Sequence, residues 1–129
     1  MEHPGSGFLE FCFRLEDASG SFAAHCDAIS KAGVNIVTAA GLVWDGEYPI
    51  AALVINAKDA DAVRNALGSM GVRYRESELH GVEVRNTPGG LAEATKDLAT
   101  RDWNLRSIYM WRGREEDSSI LMGATKHEE

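Results

Sequence analysis

Apolar and other residues alternate from residue 9 to residue 15, a period of two that predicts a β-strand with one face against a core. The spacing changes to that of a helix over residues 22–32, and Gly33 follows where a left-handed C-terminal cap is expected. Residues 35–43 predict a second strand, and the continuous apolar run at 50–55 predicts a third, central one. The chain therefore begins β-α-β-β.

A second helix and a fourth strand complete this first set of elements. Asp59 is predicted to cap a helix that extends to Met70 and is closed by Gly71. Residues 72–78 resume the strand pattern. The predicted order of the first set is β-α-β-β-α-β.

The pattern then starts again. Residues 79–85 predict a strand, Thr87-Pro88 the start of a helix with proline at its first position, and residues 90–100 the helix itself. Residues 105–111 and 119–124 predict two more strands.

A repeat underlies this recurrence. Residues 17–36 align with residues 86–105 without a gap, at an offset of 69 residues. The identical pairs are Gly20 and Gly89, Ala23 and Ala92, and Asn35 and Asn104. A repeat of this length indicates a duplicated supersecondary unit. We predict a first module over residues 7–78 and a second over 79–129, which lacks the last helix and strand of the first.

The second copy resembles an ACT domain, a small regulatory module found in enzymes of amino-acid metabolism. Asn86, Pro88, Gly89, Leu91 and Asn104 match the turn and the following Asn-containing strand of that family. The resemblance implies an α+β fold of tandem ferredoxin-like (βαββαβ) modules, with an antiparallel sheet and helices on one face. The second module would be truncated to βαββ.

The first copy matches the family less closely. Asp17, Gly20, Phe22 and the pair at 35–36 are present, whereas Ser19 replaces the proline of the motif. The resemblance covers nearly the whole chain, and the overall layout is similar to that of free-standing tandem ACT proteins.

By resemblance, such modules bind an amino acid or similar small ligand at the interface between two modules and regulate an enzyme or a regulator. A small-residue turn before a helix also suits a carboxylate on local chemical grounds, because it exposes backbone N–H groups at a partly positive helix end. The alternative is that the turns and asparagines are purely structural. The candidate ligand-binding residues are Asn86, Thr87, Pro88, Gly89, Gly90, Leu91, Asn104 and Leu105 in the second copy, and Asp17, Ser19, Gly20, Asn35 and Ile36 in the first.

Charge narrows the classes of partner. A formal net charge of −7 argues against nucleic acid or an anionic membrane surface as the main partner. Arg73 and Arg75 fit either a solvated strand face or a pair with a ligand carboxylate. The sequence contains no transmembrane stretch and no secretory signal, which favours the cytoplasm.

No residue pattern indicates catalysis, a metal or a cofactor. Cys12 and Cys26 are expected to be small buried or half-buried residues, and no histidine has an evident carboxylate or nucleophile partner. Residues 115–117, all acidic, are more typical of a solvated loop than of a cation site. We therefore expect a non-enzymatic protein.

The second module is predicted to lack a helix and a strand, and this absence has a consequence for stability. A sheet lacking one covering helix leaves apolar area exposed, and each ~100 Å² left in water forfeits roughly 2.5 kcal/mol. We expect a homodimer in which a symmetry-related chain covers that area. The alternative to amino-acid binding is a ligand-free ACT-type module for dimerisation and protein interaction that acts on a partner enzyme.

Overall fold

The computed structural model describes residues 5–43, 47–112 and 120–126, with side chains over residues 7–43 and 47–110. The chain divides into two compact units. Residues 7–77 form the first unit, and residues 78–129 together with residues 1–6 form the second.

The first unit contains four strands and two α-helices. In chain order its elements are β1 (Gly5–Arg14), α1 (Ser21–Lys31), β2 (Thr38–Leu42), β3 (Ile50–Asn56), a short 3₁₀ turn (Ala57–Asp59), α2 (Ala60–Ser69) and the beginning of β4 (Tyr74–Val84). The strand order is β2-β3-β1-β4. β3 pairs antiparallel with both β1 and β2, so the apolar run predicted as a central strand does lie between two neighbours.

The core of the first unit follows from the two periodicities in the sequence. Phe11 and Phe13 alternate with less buried residues on β1, while β3 is buried on both faces. The helices contribute Ile29 from α1, and Val63 and Leu67 from α2, each of them fully buried. Sheet and helices therefore share one apolar cluster.

The second unit contains the rest of β4 and three further elements, α3 (Gly90–Thr100), β5 (Leu105–Arg112) and β6 (Ile120–Lys126). Its strand order is β4-β6-β5, and both pairings are antiparallel. Val82, Val84 and Leu98 form its buried cluster, against which Trp103 and Leu105 pack. The α+β class and the antiparallel pairing agree with the expectation from the sequence.

One predicted boundary between strands is absent. Residues 72–78 and 79–85 were expected to be two strands, but residues 74–84 are the single strand β4. Residues 76–79 include no glycine or proline, so nothing in them interrupts an extended backbone.

The starts of two helices also differ from expectation. Pro88 is not at the first helical position, because α3 begins at Gly90 and the left-handed Gly89 occupies its N-cap. Asp59 does occupy the N-cap of α2, but its side chain makes no capping hydrogen bond.

Both copies of the repeat end their helix in the same way. Gly33 follows α1 with φ +81°, and Asp102 follows α3 with φ +64°. The N–H group of the next residue then bonds to the carbonyl of a buried helical residue, Ile29 at 3.3 Å or Leu98 at 3.0 Å. The backbone turn is the same, although glycine is present in only one copy.

Within the described ranges, none of the helices has both the length and the apolar character needed to cross a membrane.

Candidate functional site

Two turns with nearly the same backbone conformation lead into α1 and α3. Gly20 has φ 84° and ψ −4°, and Gly89 has φ 87° and ψ −7°, which places both in the left-handed region. Each occupies the N-cap of its helix, and neither helix has a side-chain cap. Glycine suits both positions because residues with a side chain disfavour this conformation.

The backbone hydrogen bonds of the two turns are also equivalent. The first helical N–H bonds to a turn carbonyl, Ser21 to Ala18 at 3.2 Å and Gly90 to Thr87 at 3.0 Å. The fourth helical N–H bonds to the N-cap carbonyl, at 3.0 Å in both helices. Among the described residues, the second and third helical N–H groups have no acceptor. Each helix therefore presents two N–H donors and the positive end of its dipole.

The turns differ at the first helical residue. In the first copy, Ser21 Oγ accepts a hydrogen bond from the Glu16 N–H at 3.2 Å. In the second copy, a Cβ atom on Gly90 would clash with the Arg85 carbonyl oxygen. The chain's own backbone thus requires glycine at position 90, independently of any ligand.

The predicted asparagines lie away from the turns of their own unit. Gly20 precedes α1 and Asn35 follows it, and the 11 residues of α1 span ~16 Å. Gly89 and Asn104 are separated by α3 in the same way. Within one unit, the structure does not bring a turn and its asparagine together.

The other predicted site residues fall into two groups. Ile36 and Leu105 are half-buried and pack against the cores of the first and second units, respectively. The exposed predicted residues, available to a ligand, are Asp17, Ser19, Gly20, Asn35, Asn86, Thr87, Pro88, Gly89, Leu91 and Asn104.

A groove of about 1020 Å³ adjoins the turn of the first unit. We call it the basic groove, and its polar lining includes Arg14, His25, Arg73, Arg75 and Cys12. The end of β1, the first turns of α1 and the segment leading into β4 position these side chains. Sequence reasoning singled out Arg73 and Arg75, but it did not identify Arg14 or His25 as neighbours of that pair.

Among the described residues, the arginines of the basic groove have no carboxylate partner. Within the part of the chain that the structure describes, Arg73 and Arg75 form no ion pair, and Arg14 lies over the Tyr48 ring, 5.3 Å from its centroid. Elsewhere in the same unit, Lys31 pairs with Asp27 at 3.0 Å and Arg64 pairs with Glu76 at 2.7 Å. Glu16 is the acidic residue that lines the groove.

His25 is held in a defined orientation. Its Nδ1 lies 2.7 Å from the Ser21 carbonyl oxygen, and its ring stacks on Phe13 with centroids 4.9 Å apart. Since a carbonyl only accepts, Nδ1 carries the proton and donates it. Nε2 is then the nitrogen available to a ligand.

The two cysteines are free and half-buried, as expected from the sequence. Burial raises the pKa of the Cys12 thiol; nearby Glu10 adds to this increase, and Arg75 opposes it. Burial also raises the pKa of Cys26. No group of three or more potential metal-binding side chains occurs among the described residues. The acidic residues at 115–117 lie outside the described ranges.

Trp103 is partly buried in the second unit. It packs against the core of the second unit, and its ring and that of His80 meet edge to face with centroids 4.9 Å apart.

Comparison with known proteins identifies the fold. No protein-family model and no curated protein matches the sequence. The structure is similar to the ligand-free regulatory subunit of aspartate kinase from Thermus thermophilus, with a TM-score of 0.72 and 14% identity over 97% of this chain and 89% of that one. This chain has the fold of that regulatory subunit.

The regulatory-subunit fold recurs in other solved structures. A protein from Bacteroides thetaiotaomicron has a TM-score of 0.72 and 16% identity, over 93% of this chain and 79% of that one. Aspartate kinase from Clostridium acetobutylicum, described as an allosteric enzyme, has a TM-score of 0.60 and 14% identity, over 92% of this chain and 29% of that one. These similarities support the ACT fold that the sequence motifs implied.

Proposed function

We propose that this protein is a regulatory protein that binds an amino acid or a similar small carboxylate and catalyses no reaction. The fold supports a regulatory role, because it is the fold of the aspartate kinase regulatory subunit. The proposal also treats the two units as tandem ACT modules, the second one truncated.

The pair of turns is the observation that carries this proposal. Each turn offers two N–H groups at a helix N-terminus that have no acceptor within the described ranges, beside a glycine that leaves the backbone accessible. A carboxylate accepts such hydrogen bonds, and the helix dipole favours its negative charge. The repetition of this geometry 69 residues apart favours a binding role for both turns.

The exposed turn residues would bind the ligand directly. Asn86 and Thr87 offer donor and acceptor groups for an α-amino group, and Asp17 offers an acceptor in the first copy. Because Asn35 and Asn104 lie at the far ends of their helices, we assign them to contacts separate from the turn of their own unit.

Thermal unfolding with each of the twenty amino acids at millimolar concentration tests this function. A ligand present at 100 times its dissociation constant stabilises the folded state by about 2.7 kcal/mol. We expect a selective increase in Tm for one amino acid or a chemically related group. The absence of an increase with any of the twenty would contradict the proposal.

A pair of matched variants tests the location of the site. Asn86→Ala removes the amide from the turn before α3, whereas Asn65→Ala removes an exposed amide from α2. We expect the ligand-induced increase in Tm to shrink in the first variant and to persist in the second. Equal increases in both would exclude Asn86 from the site.

A surface of exposed apolar residues favours a second candidate function. Leu42, Val43, Tyr48 and Ile50 are 71%, 56%, 62% and 47% exposed, respectively, around the β2–β3 connection. Such a surface suits a protein contact. The alternative is therefore a ligand-free module that dimerises or binds a partner enzyme, and dimerisation without any ligand-induced stabilisation would favour it.

A further inference from the structure

We propose that the basic groove of the first unit binds a small dianion, either a dicarboxylate or a phosphate. This inference rests on the proposed small-ligand function and adds a chemical class and a set of residues to it. The groove lies wholly within residues 7–77 and does not include the turn residues 17–20.

More cationic than anionic side chains line the basic groove. Arg14, Arg73 and Arg75 line the groove, against the single carboxylate of Glu16. The chain has 20 acidic and 13 basic residues, so a local excess of cations runs against its overall composition. Like charges gathered at one surface repel one another, and a bound anion removes that repulsion.

Two arginines of the groove have no carboxylate partner in the part of the chain that the structure describes. Arg64 in the same unit donates from two nitrogens to the two oxygens of Glu76, each at 2.7 Å. Within the described ranges, Arg73 and Arg75 have no such carboxylate. Their planar guanidinium groups therefore retain the donors that match a carboxylate or phosphate in a two-point contact.

The number of arginine side chains in the groove indicates the ligand charge that the groove would bind best. One guanidinium group satisfies one carboxylate, so a groove with three guanidinium groups suits a ligand with two negative charges better than a singly charged one. The ring of His25 adds a fixed polar group, because Phe13 and the Ser21 carbonyl hold its orientation. Its Nε2 can accept a hydrogen bond from a ligand hydroxyl, such as the one that hydrogen phosphate carries.

The volume permits a ligand of this class. A groove of about 1020 Å³ is at the upper end of the size usual for small-molecule sites. Ile50 and Val72 contribute apolar lining that would contact the carbon skeleton of a dicarboxylate.

Isothermal titration calorimetry of the full chain tests this proposal. The ligands are malonate, succinate and inorganic phosphate, at a pH above the second ionisation of each so that all three are mainly dianions, with acetate as the singly charged control. We expect at least one dianion to bind more tightly than acetate. Binding of the dicarboxylates alone would identify a dicarboxylate site, and binding of phosphate alone a phosphate site.

Three variants place the binding in the groove. Arg73→Gln and Arg75→Gln each remove one cation from it, while Lys58→Gln removes one from an exposed position outside it. We expect each arginine substitution to lower the affinity for the dianion about ten- to hundredfold, as when one charge-assisted contact is lost. Lys58→Gln should leave the affinity within about twofold, since an exposed distant charge is largely screened. A near-UV circular dichroism spectrum checks that each variant is folded.

The outcomes separate this inference from the proposed function. If no dianion binds at millimolar concentration, or if Lys58→Gln weakens binding as much as Arg75→Gln does, the groove proposal is wrong. Should one amino acid still raise the Tm of both arginine variants as much as that of the unmodified chain, amino-acid binding elsewhere stands without the groove. If neither an amino acid nor a dianion has any effect, both proposals fail.

Discussion

Asp102 holds a backbone conformation that favours glycine, and the corresponding position in the first copy is Gly33. Both follow a helix with positive φ, at +64° and +81° respectively. The left-handed conformation destabilises a residue with a side chain by roughly 1–2 kcal/mol, although aspartate tolerates it better than most. The same left-handed turn is therefore formed by a favourable residue, Gly33, in the first copy and by a less favourable one, Asp102, in the second.

Reciprocal substitutions should show this difference. We expect Asp102→Gly to increase the free energy of unfolding by about 0.5–1 kcal/mol, the loss of strain being partly offset by the greater freedom of glycine in the unfolded chain. Gly33→Asp should decrease it by about 1 kcal/mol. Apart from its chain neighbours, no described residue has an atom within 4 Å of a Cβ built on Gly33, so the effect there is one of conformation. Urea unfolding measures both, and changes of the same sign would contradict the explanation.

The residue scale also shows what the sequence could and could not predict about the site. The repeat itself indicated that Gly20 and Gly89 share a role, and their dihedral angles agree within a few degrees. The contact between Gly90 and the Arg85 carbonyl was not predictable, because hydrophobic patterns carry no information about backbone approach. The grouping of Arg14 and His25 with Arg73 depends on three elements that the chain brings together only on folding.

At the scale of elements, a charged cluster connects α2 to β4. Arg64 on α2 donates two hydrogen bonds to Glu76 on β4, and a third, at 2.8 Å, to Asp61. The contacts from Arg64 hold the pKa of Glu76 below its usual range. The two-point geometry makes this pair more specific than a typical surface ion pair.

Acid should remove the contribution of Glu76 to stability. Because its pKa is lower in the folded chain than in the unfolded one, the stabilisation is fully present above the usual carboxyl range and is lost as the pH falls through the lowered pKa of the folded chain. We expect Glu76→Gln to melt a few degrees below the unmodified chain at pH 7, and we expect this difference to shrink steadily as the pH falls below the usual carboxyl range. Thermal scans across this range measure the difference. Glu78→Gln, an exposed neighbour on the same strand, should show no such convergence, and a constant gap for Glu76→Gln would contradict the linkage.

Most elements follow from periodicity, and the exceptions have physical causes. The helix predicted at residues 90–100 has those bounds, because its apolar spacing and the glycine before it agree. β4 was predicted as two strands because a repeat unit begins within it, yet residues 76–79 contain no glycine or proline to interrupt the strand. β2 begins at Thr38, three residues after Asn35, where pairing with β3 begins.

At the scale of the whole molecule, we expect the protein to be a homodimer. β2 lies at the edge of the sheet, and an edge strand presents unpaired backbone groups. Leu42 on this strand is 71% exposed. Sedimentation equilibrium should therefore give about twice the chain mass of 14.0 kDa at micromolar concentration.

Two lysine substitutions locate the dimer contact. Leu42→Lys places a charge on the edge strand of the first unit, and Ile108→Lys places one on an exposed apolar position of β5 in the second. We expect the first to yield monomers and the second to leave the dimer intact; Asn65→Lys controls for the added charge. If Ile108→Lys alone dissociates the dimer, the contact instead involves the second unit, where the sequence pattern predicted that a second chain covers exposed apolar area.

The two half-buried cysteines make this protein convenient to handle. Since their thiols have raised pKa values, both are mainly protonated at neutral pH, and the thiolate that reacts with oxidants and alkylating agents is scarce. The chain should therefore tolerate purification in air better than a protein with activated thiols. A short step at higher pH would deprotonate Cys12, whose thiolate could then be labelled with a fluorophore in the basic groove. Substitution of Cys26 with serine would leave Cys12 as the labelled cysteine.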